Sequence, residues 1–256
     1  MSWSRQIHIK SPVEIEIMRE AGRINATILA TTKELLKPGV STADLNAAAE
    51  EVLRKHGCVS PFKGYGHPPY PASITVSINQ ELVHGIPSKK RKLKAGDIVS
   101  IDCGTILDGW VADSAFTGGV GQISKEAQDL LDVTSGALNA GIEKMVVGNR
   151  TGDVSAAIQQ YVESRGYYVT REYTGHGVGR QMHEGPQVPN YGKPGTGMPL
   201  KPGMTIAIEP MVLVGTAETR VLPDQWTVVS ADGSLTAHFE HSVAVTEGKP
   251  LILTVP

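Results

Sequence analysis

Apolar side chains first recur at helical spacing after Ser11-Pro12, with Ile17, Ala21, Ile24 and Ile28 on one face. A serine followed by proline is a helix start, because proline lacks an N–H that the first turn would leave unpaired anyway. Pro38-Gly39 predicts the end of that helix. Ser41 with Asp44 three residues on predicts a second helix, running to about His56-Gly57. The rhythm then repeats. Ser124 opens a long helix to about Met145, and Thr151 opens another with Val154, Ile158 and Tyr161 or Val162 on one face. After each helix pair the pattern changes to β-branched runs: Ser73–Ile78, Ile98–Ile101, Thr205–Ile208, Thr227–Val229 and Ser242–Val245. Two helices followed by strands, twice over, predict an α+β fold of antiparallel hairpins with helices gathered on one face of a central sheet.

Three short matches tie the halves together. Gly39-Val40-Ser41-Thr42-Ala43-Asp44-Leu45 and Gly148-Asn149-Arg150-Thr151-Gly152-Asp153-Val154 both read G-x-x-T-x-D-[LV]. Leu93–Asp102 and Leu200–Glu209 both read L-K-x-G-x4-I-[DE]. Between them stand His84-Gly85-Ile86-Pro87 and His183-Glu184-Gly185-Pro186. The offsets of 109, 107 and 99 residues far exceed the roughly 20–50 residues of a solenoid repeat. They predict one domain over residues 1–256, built of pseudo-two-fold halves at about 10–120 and 121–250.

Composition narrows the function classes. At 40% hydrophobic and 20% charged, the 256 residues suit a folded chain and exclude the disordered classes. The 24 basic and 26 acidic residues leave a net charge of −2, with no basic stripe for a nucleic-acid backbone, so no nucleic-acid partner is expected. No apolar run approaches the roughly 20 residues of a membrane span, and Met1–His8 holds no secretory signal. Two cysteines, Cys58 and Cys103, make no disulfide framework. A cytoplasmic protein with no membrane partner is the expectation.

The candidate chemistry lies in the acids and histidines. Asp108-Gly109 is a hairpin-turn dipeptide, and a two-residue loop there pairs Leu107 with Trp110 and hence Asp102 with Ala115. Asp113 then lies on the same strand face as Ala115, diagonal to Asp102 and roughly 7–8 Å away at the backbone. Two bare carboxylates facing each other are costly, and a metal ion or two can bridge that gap. An isolated aspartate on a strand is an ordinary solvated residue. Glu209 changes that reading, because it ends an apolar strand at the repeat position of Asp102. Glu240, opening the last strand, is the counterpart of Asp113 without a sequence echo. Thr174-Gly175-His176-Gly177 reads as a tight turn permitting close backbone approach; it lacks the G-x-G-x-x-G of a phosphate loop. His84 and His183 recur in both halves and predict a shared cleft. Four carboxylates and a histidine suit a pair of Mn, Fe, Co or Zn ions rather than structural zinc. Cys103, next to Asp102, faces away from them.

This set of Asp102, Asp113, Gly175-His176-Gly177, His183, Glu209-Pro210 and Glu240, with Val83–Pro87, resembles the methionine aminopeptidases of the pita-bread fold, from about Lys10 to Val245. No zinc-binding or polybasic extension precedes the first helix, and the Glu209–Glu240 interval is short, which resembles the type I, bacterial-like subgroup. The resemblance implies a dinuclear site in which Asp102 chelates one ion, Asp113 and Glu240 bridge both, and His176 and Glu209 complete the second. It implies that a bridging hydroxide attacks the first peptide bond. Glu209 then shuttles the proton, His183 steadies the tetrahedral intermediate and His84 holds the substrate backbone. The free α-amine would bind a metal, so that one residue alone is removed. Tyr70, Thr75, Met182 and Trp226 are implied as methionine-pocket walls; Thr75 stands where many bacterial members carry Cys, and Met182 where Phe is common. Asn79 and the Thr236 region are implied supports for one monovalent cation. The implied partner is a peptide or nascent-protein N-terminus with a small second residue, acted on by a monomer, with the ribosome a further partner left open. Two rivals remain at this point: a proline-specific branch that usually carries a large N-terminal domain, and metal-free relatives that only bind partners.

Overall fold

The computed structural model describes residues 7–256. The expected absence of a secretory signal rests largely on Met1–Gln6, which lie outside the described residues. Helix α1 spans Pro12–Glu34 and α2 spans Thr42–Lys55. Ser11 accepts the amide of Glu14 while the Glu14 carboxylate takes the amide of Ser11, and Ser41 and Asp44 do the same for α2. Each reciprocal pair satisfies two amides that the first turn would leave unpaired. Helix α1 stops at Glu34, a turn ahead of Pro38-Gly39, and Leu36 beyond it is buried in the core.

Strands β1 (Ile74–Ile78), β2 (Glu81–Val83), β3 (Ile98–Leu107) and β4 (Trp110–Gly119) complete the first half. Helices α3 (Lys125–Ile142) and α4 (Thr151–Glu163) open the second, α3 ending one turn before Met145. Strands β5 (Tyr168–Val169), β6 (Thr174–Gly177), β7 (Glu184–Pro189), β8 (Thr205–Ile208), β9 (Met211–Leu213), β10 (Thr219–Val221), β11 (Val228–Ser230), β12 (Thr236–His238), β13 (Glu240–Ala244) and β14 (Leu251–Ile252) follow. The main sheet runs β1-β3-β4-β13-β8-β6-β7 with β14 on β13, and all its pairings are antiparallel. Two three-stranded sheets, β10-β11-β2 and β12-β9-β5, flank it.

The strand order makes the duplication visible. β1-β3-β4 of one half meets β13-β8-β6 of the other, in mirrored order, across the β4–β13 pair. The sequence matches are the joints that repeat. Thr42 donates its amide to the Arg91 carbonyl as Thr151 does to Met198, and Leu93 donates to Val40 as Leu200 does to Asn149. Asp44 takes the amide of Ser41 at 2.9 Å, and Asp153 that of Arg150 at 2.7 Å. Gly39 and Gly148 have φ of 89° and 97°, and Gly96 and Gly203 have 92° and 86°, a region that disfavours any residue with a Cβ.

The β3–β4 hairpin turns through Asp108 and Gly109 with φ of 49° and 74°, the doubly positive turn that suits a right-twisted ribbon. Leu107 pairs with Trp110 and Asp102 with Ala115, as the turn predicts. Asp102 lies mid-strand rather than at a strand end, because β3 continues to Leu107. Side chains alternate across this ribbon. Val99, Ile101 and Cys103 point to one face and pack against Ile24, Ile28, Leu45, Ala49 and Val52 of α1 and α2. In the second half Ile206, Ile208 and Val243 pack against Leu130, Leu138, Val154 and Ile158 of α3 and α4. Each such side chain, fully removed from water, contributes about 1.5–3 kcal/mol. With one face spoken for, a one-residue slip of register would drive the acids into the helices.

Asn25 fastens α1 to the hairpin. Its Nδ2 donates to the carbonyls of Cys103 (2.8 Å) and Ala112 (3.1 Å) and lies 3.2 Å from Ser114 Oγ, while the Thr105 hydroxyl donates to its Oδ1. Asn25 is fully buried, so none of these bonds is replaceable by water. Asn25→Ala is expected to lower the unfolding free energy by about 2–4 kcal/mol, read from urea denaturation midpoints; a loss below about 0.5 kcal/mol would leave the helix–hairpin joint without its assigned role.

Candidate metal centre

Register alone brings the acids to one face. Across the sheet, Thr75 pairs with Asp102, Asp102 with Ala115, and Ala115 with Glu240, so Asp102 and Glu240 project from one row. One row along, Gly104 pairs with Asp113, and Ala207 pairs with both Ser242 and His176. Residues two apart share a face, so Asp113 and His176 join Asp102 and Glu240 opposite the helices. Glu209 follows the last residue of β8 and completes the group. The hydroxyl of Ser242 ties β13 to β4, donating to the Asp113 carbonyl at 2.8 Å and accepting its amide at 3.0 Å.

Gly175-His176-Gly177 is a strand with a bulge, not the tight turn read from its glycines. β6 is sandwiched between β7 and β8. A Cβ on Gly175 would stand 2.6 Å from the Ala207 carbonyl oxygen, and one on Gly177 would strike the Gly185 carbonyl. The glycines serve close approach of neighbouring strands. His176 Nδ1 lies 3.0 Å from the Gly177 carbonyl, which can only accept, so the proton sits on Nδ1. Nε2 is thereby aimed at Glu209 Oε1 (3.2 Å) and Asp113 Oδ2 (4.0 Å). This is the arrangement by which a backbone carbonyl orients a metal-ligating imidazole.

The electrostatics of the group are severe. Burial pushes Asp102 and Glu240 well above the usual carboxylate range, and the charges of their acidic neighbours push further. Burial raises Asp113 to about 7 even though His176 opposes it, and raises Glu209 against the same opposition. Burial works to lower His176, but the Glu209 and Asp113 carboxylates outweigh it and hold it up. No lysine or arginine among the described residues lines the cavity. Asp102 Oδ1, Asp113 Oδ1, Glu240 Oε1 and His238 Nε2 are buried without hydrogen-bond partners. One donor atom each from Asp113, His176 and Glu240 falls within a 4.8 Å span. Buried, unpaired oxygen donors with one oriented nitrogen fit divalent cations of the Mn, Fe, Co or Zn type.

These groups floor a cavity of about 320 Å³. Its walls include every other residue singled out for the site: Tyr70, Thr75, His84, Met182, His183 and Trp226. Tyr70 donates to the Gly85 carbonyl at 2.9 Å and packs edge-on against Trp226, whose indole N–H donates to Pro68 at 3.1 Å. His183 lies with its ring 4.4 Å from that of His176, and Tyr65 Oη is 2.6 Å from its Nδ1. Burial lowers His183 to about 2, with His176 and His84 adding to the effect, and lowers His84 to about 4. Thr236 Oγ1 sits 3.0 Å from the Asn79 carbonyl and 2.9 Å from that of Glu81, an oxygen cluster outside the cavity lining.

Six lining residues escaped sequence reasoning: Phe62, Tyr65, Glu172, Tyr173, Met211 and His238. His238 Nε2 stands 3.8 Å from Glu209 and 3.9 Å from Glu240, and its position two residues before Glu240 was a usable signal. Burial lowers its imidazole to about 3. Phe62 and Tyr65 sit in a proline-rich loop without periodicity and carried none. Among the described residues no helix is long and apolar enough to cross a membrane.

Known proteins share both chain and architecture. Residues 16–247 match metallopeptidase family M24. The chain is 52% identical to a methionine aminopeptidase of Clostridium acetobutylicum over 249 residues, 97% of this chain and 99% of that one. It is 50% identical to methionine aminopeptidase 1 of Bacillus subtilis, over 96% of this chain and 98% of the relative. A crystal structure of methionine aminopeptidase from Thermotoga maritima superposes with a TM-score of 0.96 at 45% identity, covering 98% of this chain and all of that one. The mirrored sheet is thus the pita-bread fold, and the chain belongs to metallopeptidase family M24, in its methionine aminopeptidase branch.

Proposed function

We propose that this chain is a single catalytic domain over residues 1–256 that removes the N-terminal methionine from peptides and nascent proteins in the cytoplasm, acting as a monomer and preferring a small second residue. The observation that carries the reading is the meeting of four carboxylates and an oriented imidazole, on one sheet face, with a cavity walled by aromatic and thioether side chains. Asp102, Asp113, His176, Glu209 and Glu240 would hold two divalent ions between them. When bound, such ions would polarise the scissile carbonyl and lower the pKa of the attacking water.

The remaining chemistry belongs to the protein. Glu209 takes the proton of the water and returns it to the leaving amine, a role suited to a carboxyl that burial raises above its ordinary range. Tyr65 Oη lies 2.6 Å from His183 Nδ1; in the tautomer with Nδ1 accepting that hydroxyl, Nε2–H donates to the carbonyl oxygen as charge develops there. The depressed pKa of His183 keeps the ring neutral, so it donates without carrying a charge of its own. His84, also neutral, positions the substrate backbone beside the amide nitrogen. Tyr70, Met182 and Trp226, with Thr75, close around an unbranched thioether, and a flexible methionine fills so irregular an apolar wall well. The cluster of Thr236 with the Asn79 and Glu81 carbonyls is the proposed seat of a monovalent cation.

With Mn(II) added, Met-Ala-Ser is expected to release methionine, Met-Leu-Ser little, and Ala-Pro-Phe nothing, measured by chromatography of free amino acids. Equal turnover of all three would remove the methionine assignment. Asp113→Asn is expected to cost more than the roughly 10–100-fold attached to loss of an outer-shell partner, with an unchanged circular dichroism spectrum. Metal-stripped protein is expected to lose stability as pH rises. Asp113 holds its proton in the folded state up to about 7, far above its ordinary 3.8, so its contribution is complete below that ordinary value and vanishes as pH passes 7. Melting temperatures of the stripped protein should therefore fall between pH 5.5 and 8, and Mn(II) should reverse the fall at pH 8. A melting temperature independent of pH and metal would contradict the buried-acid account.

A further inference from the structure

His183 and Met182 reach the cavity from an irregular turn, residues 178–183, between β6 and β7. Something must hold that turn. Its outer edge is tied down by Val111, whose amide donates to the Gly179 carbonyl at 2.8 Å, and by Val178, whose amide donates to Thr205 at 3.1 Å. Its centre is the carboxylate of Glu184, the residue after His183. Oε1 accepts the amides of Arg180 (2.7 Å) and Gln181 (3.1 Å), and Oε2 accepts the ammonium of Lys10 at 2.8 Å. The two side chains are 2% and 7% exposed, and they lie 174 residues apart in the chain. Lys10 is itself fixed, since its amide donates to the Gly203 carbonyl at 2.8 Å. The turn wraps the pair so closely that a Cβ on Gly179 would stand 2.6 Å from Lys10 Cε and 2.7 Å from both Glu184 oxygens.

A buried ion pair of this kind contributes little net stability over well-packed apolar residues of similar size. Its contribution here is geometric. Three donors converge on one carboxylate, two from the turn and one from the segment ahead of α1, so the backbone at residue 184 has a single seat. His183 is then held at both ends, by the seated backbone of its neighbour and by Tyr65 on its ring. We propose that Lys10 and Glu184 are positioning residues, an internal strut that sets His183 against the scissile carbonyl and Met182 against the methionine side chain. The inference rests on the methionine-releasing reading above.

The test uses the full chain loaded with Mn(II), comparing wild type with Lys10→Met, Lys10→Arg and Glu184→Gln. For each, kcat and KM on Met-Ala-Ser are measured beside Mn(II) stoichiometry and the imidazole nitrogen resonances of His183 in the metal-free protein. Lys10→Met is expected to lower kcat about tenfold or more, as misplacing a reacting group by a fraction of an ångström does. Its His183 resonances should move while Mn(II) stoichiometry stays at the wild-type value. Lys10→Arg, which keeps the charge, should restore both kcat and resonances. Should Lys10→Met fail to fold, Glu184→Gln carries the same test, because its amide oxygen still receives the turn amides while its NH2 group no longer accepts from the Lys10 ammonium. A variant that melts earlier but keeps wild-type kcat and His183 resonances overturns the proposal, as does one that loses activity together with its metal. If wild type itself releases no methionine, the functional reading fails, while the His183 resonances still decide whether the strut positions that ring.

Discussion

Four carboxylates, shielded from water on one face of an antiparallel sheet, repel one another and resist ionising together. That repulsion is the constraint around which the molecule is arranged. Nothing cationic from the described chain reaches them except the imidazole of His176, and several of their oxygens face no donor at all. A fold that tolerates such a group must be braced from elsewhere. The bracing is the opposite face of the same strands, where Ile101, Cys103, Ile208 and Val243 are locked into helix-packed cores. Register is therefore the link between stability and chemistry, since one set of alternating residues packs and the other set meets the substrate.

Duplication supplies the convergence. Each half contributes two acids from adjacent strands, and the β4–β13 seam brings Asp113 and Glu240 together at the centre with Asp102 and Glu209 to either side. Two of the repeated motifs carry Asp102 and Glu209, and His84 and His183, into the cavity. The third, with the glycine turns, takes no part in the chemistry and holds each pair of helices to its strands by the same hydrogen bonds in both halves. The cavity walls depart from the symmetry: the aromatic loop from Phe62 to Tyr70 serves one side, and the turn carrying Met182 and His183 serves the other.

What the sequence made legible follows local rules. Helix starts at Ser11 and Ser41, the Asp108-Gly109 hairpin and the facing of Cys103 away from the acids each depend on residues close together in the chain. The tight turn read at Gly175-His176-Gly177 failed because a glycine needed for close strand packing and a glycine needed for a turn look alike until the neighbours β7 and β8 are known. His238 stood in plain alternation with Glu240, but a strand break at Phe239 obscured it. Tyr65 and the Lys10–Glu184 pair had no local signal, since their partners lie 118 and 174 residues away.

The most direct measurement is an anomalous-difference map from crystals grown with Mn(II). The account predicts two peaks, one shared by Asp102, Asp113 and Glu240 and the other by Asp113, His176, Glu209 and Glu240. Absence of density between these side chains at saturating metal, or ions seated elsewhere on the protein, would contradict it.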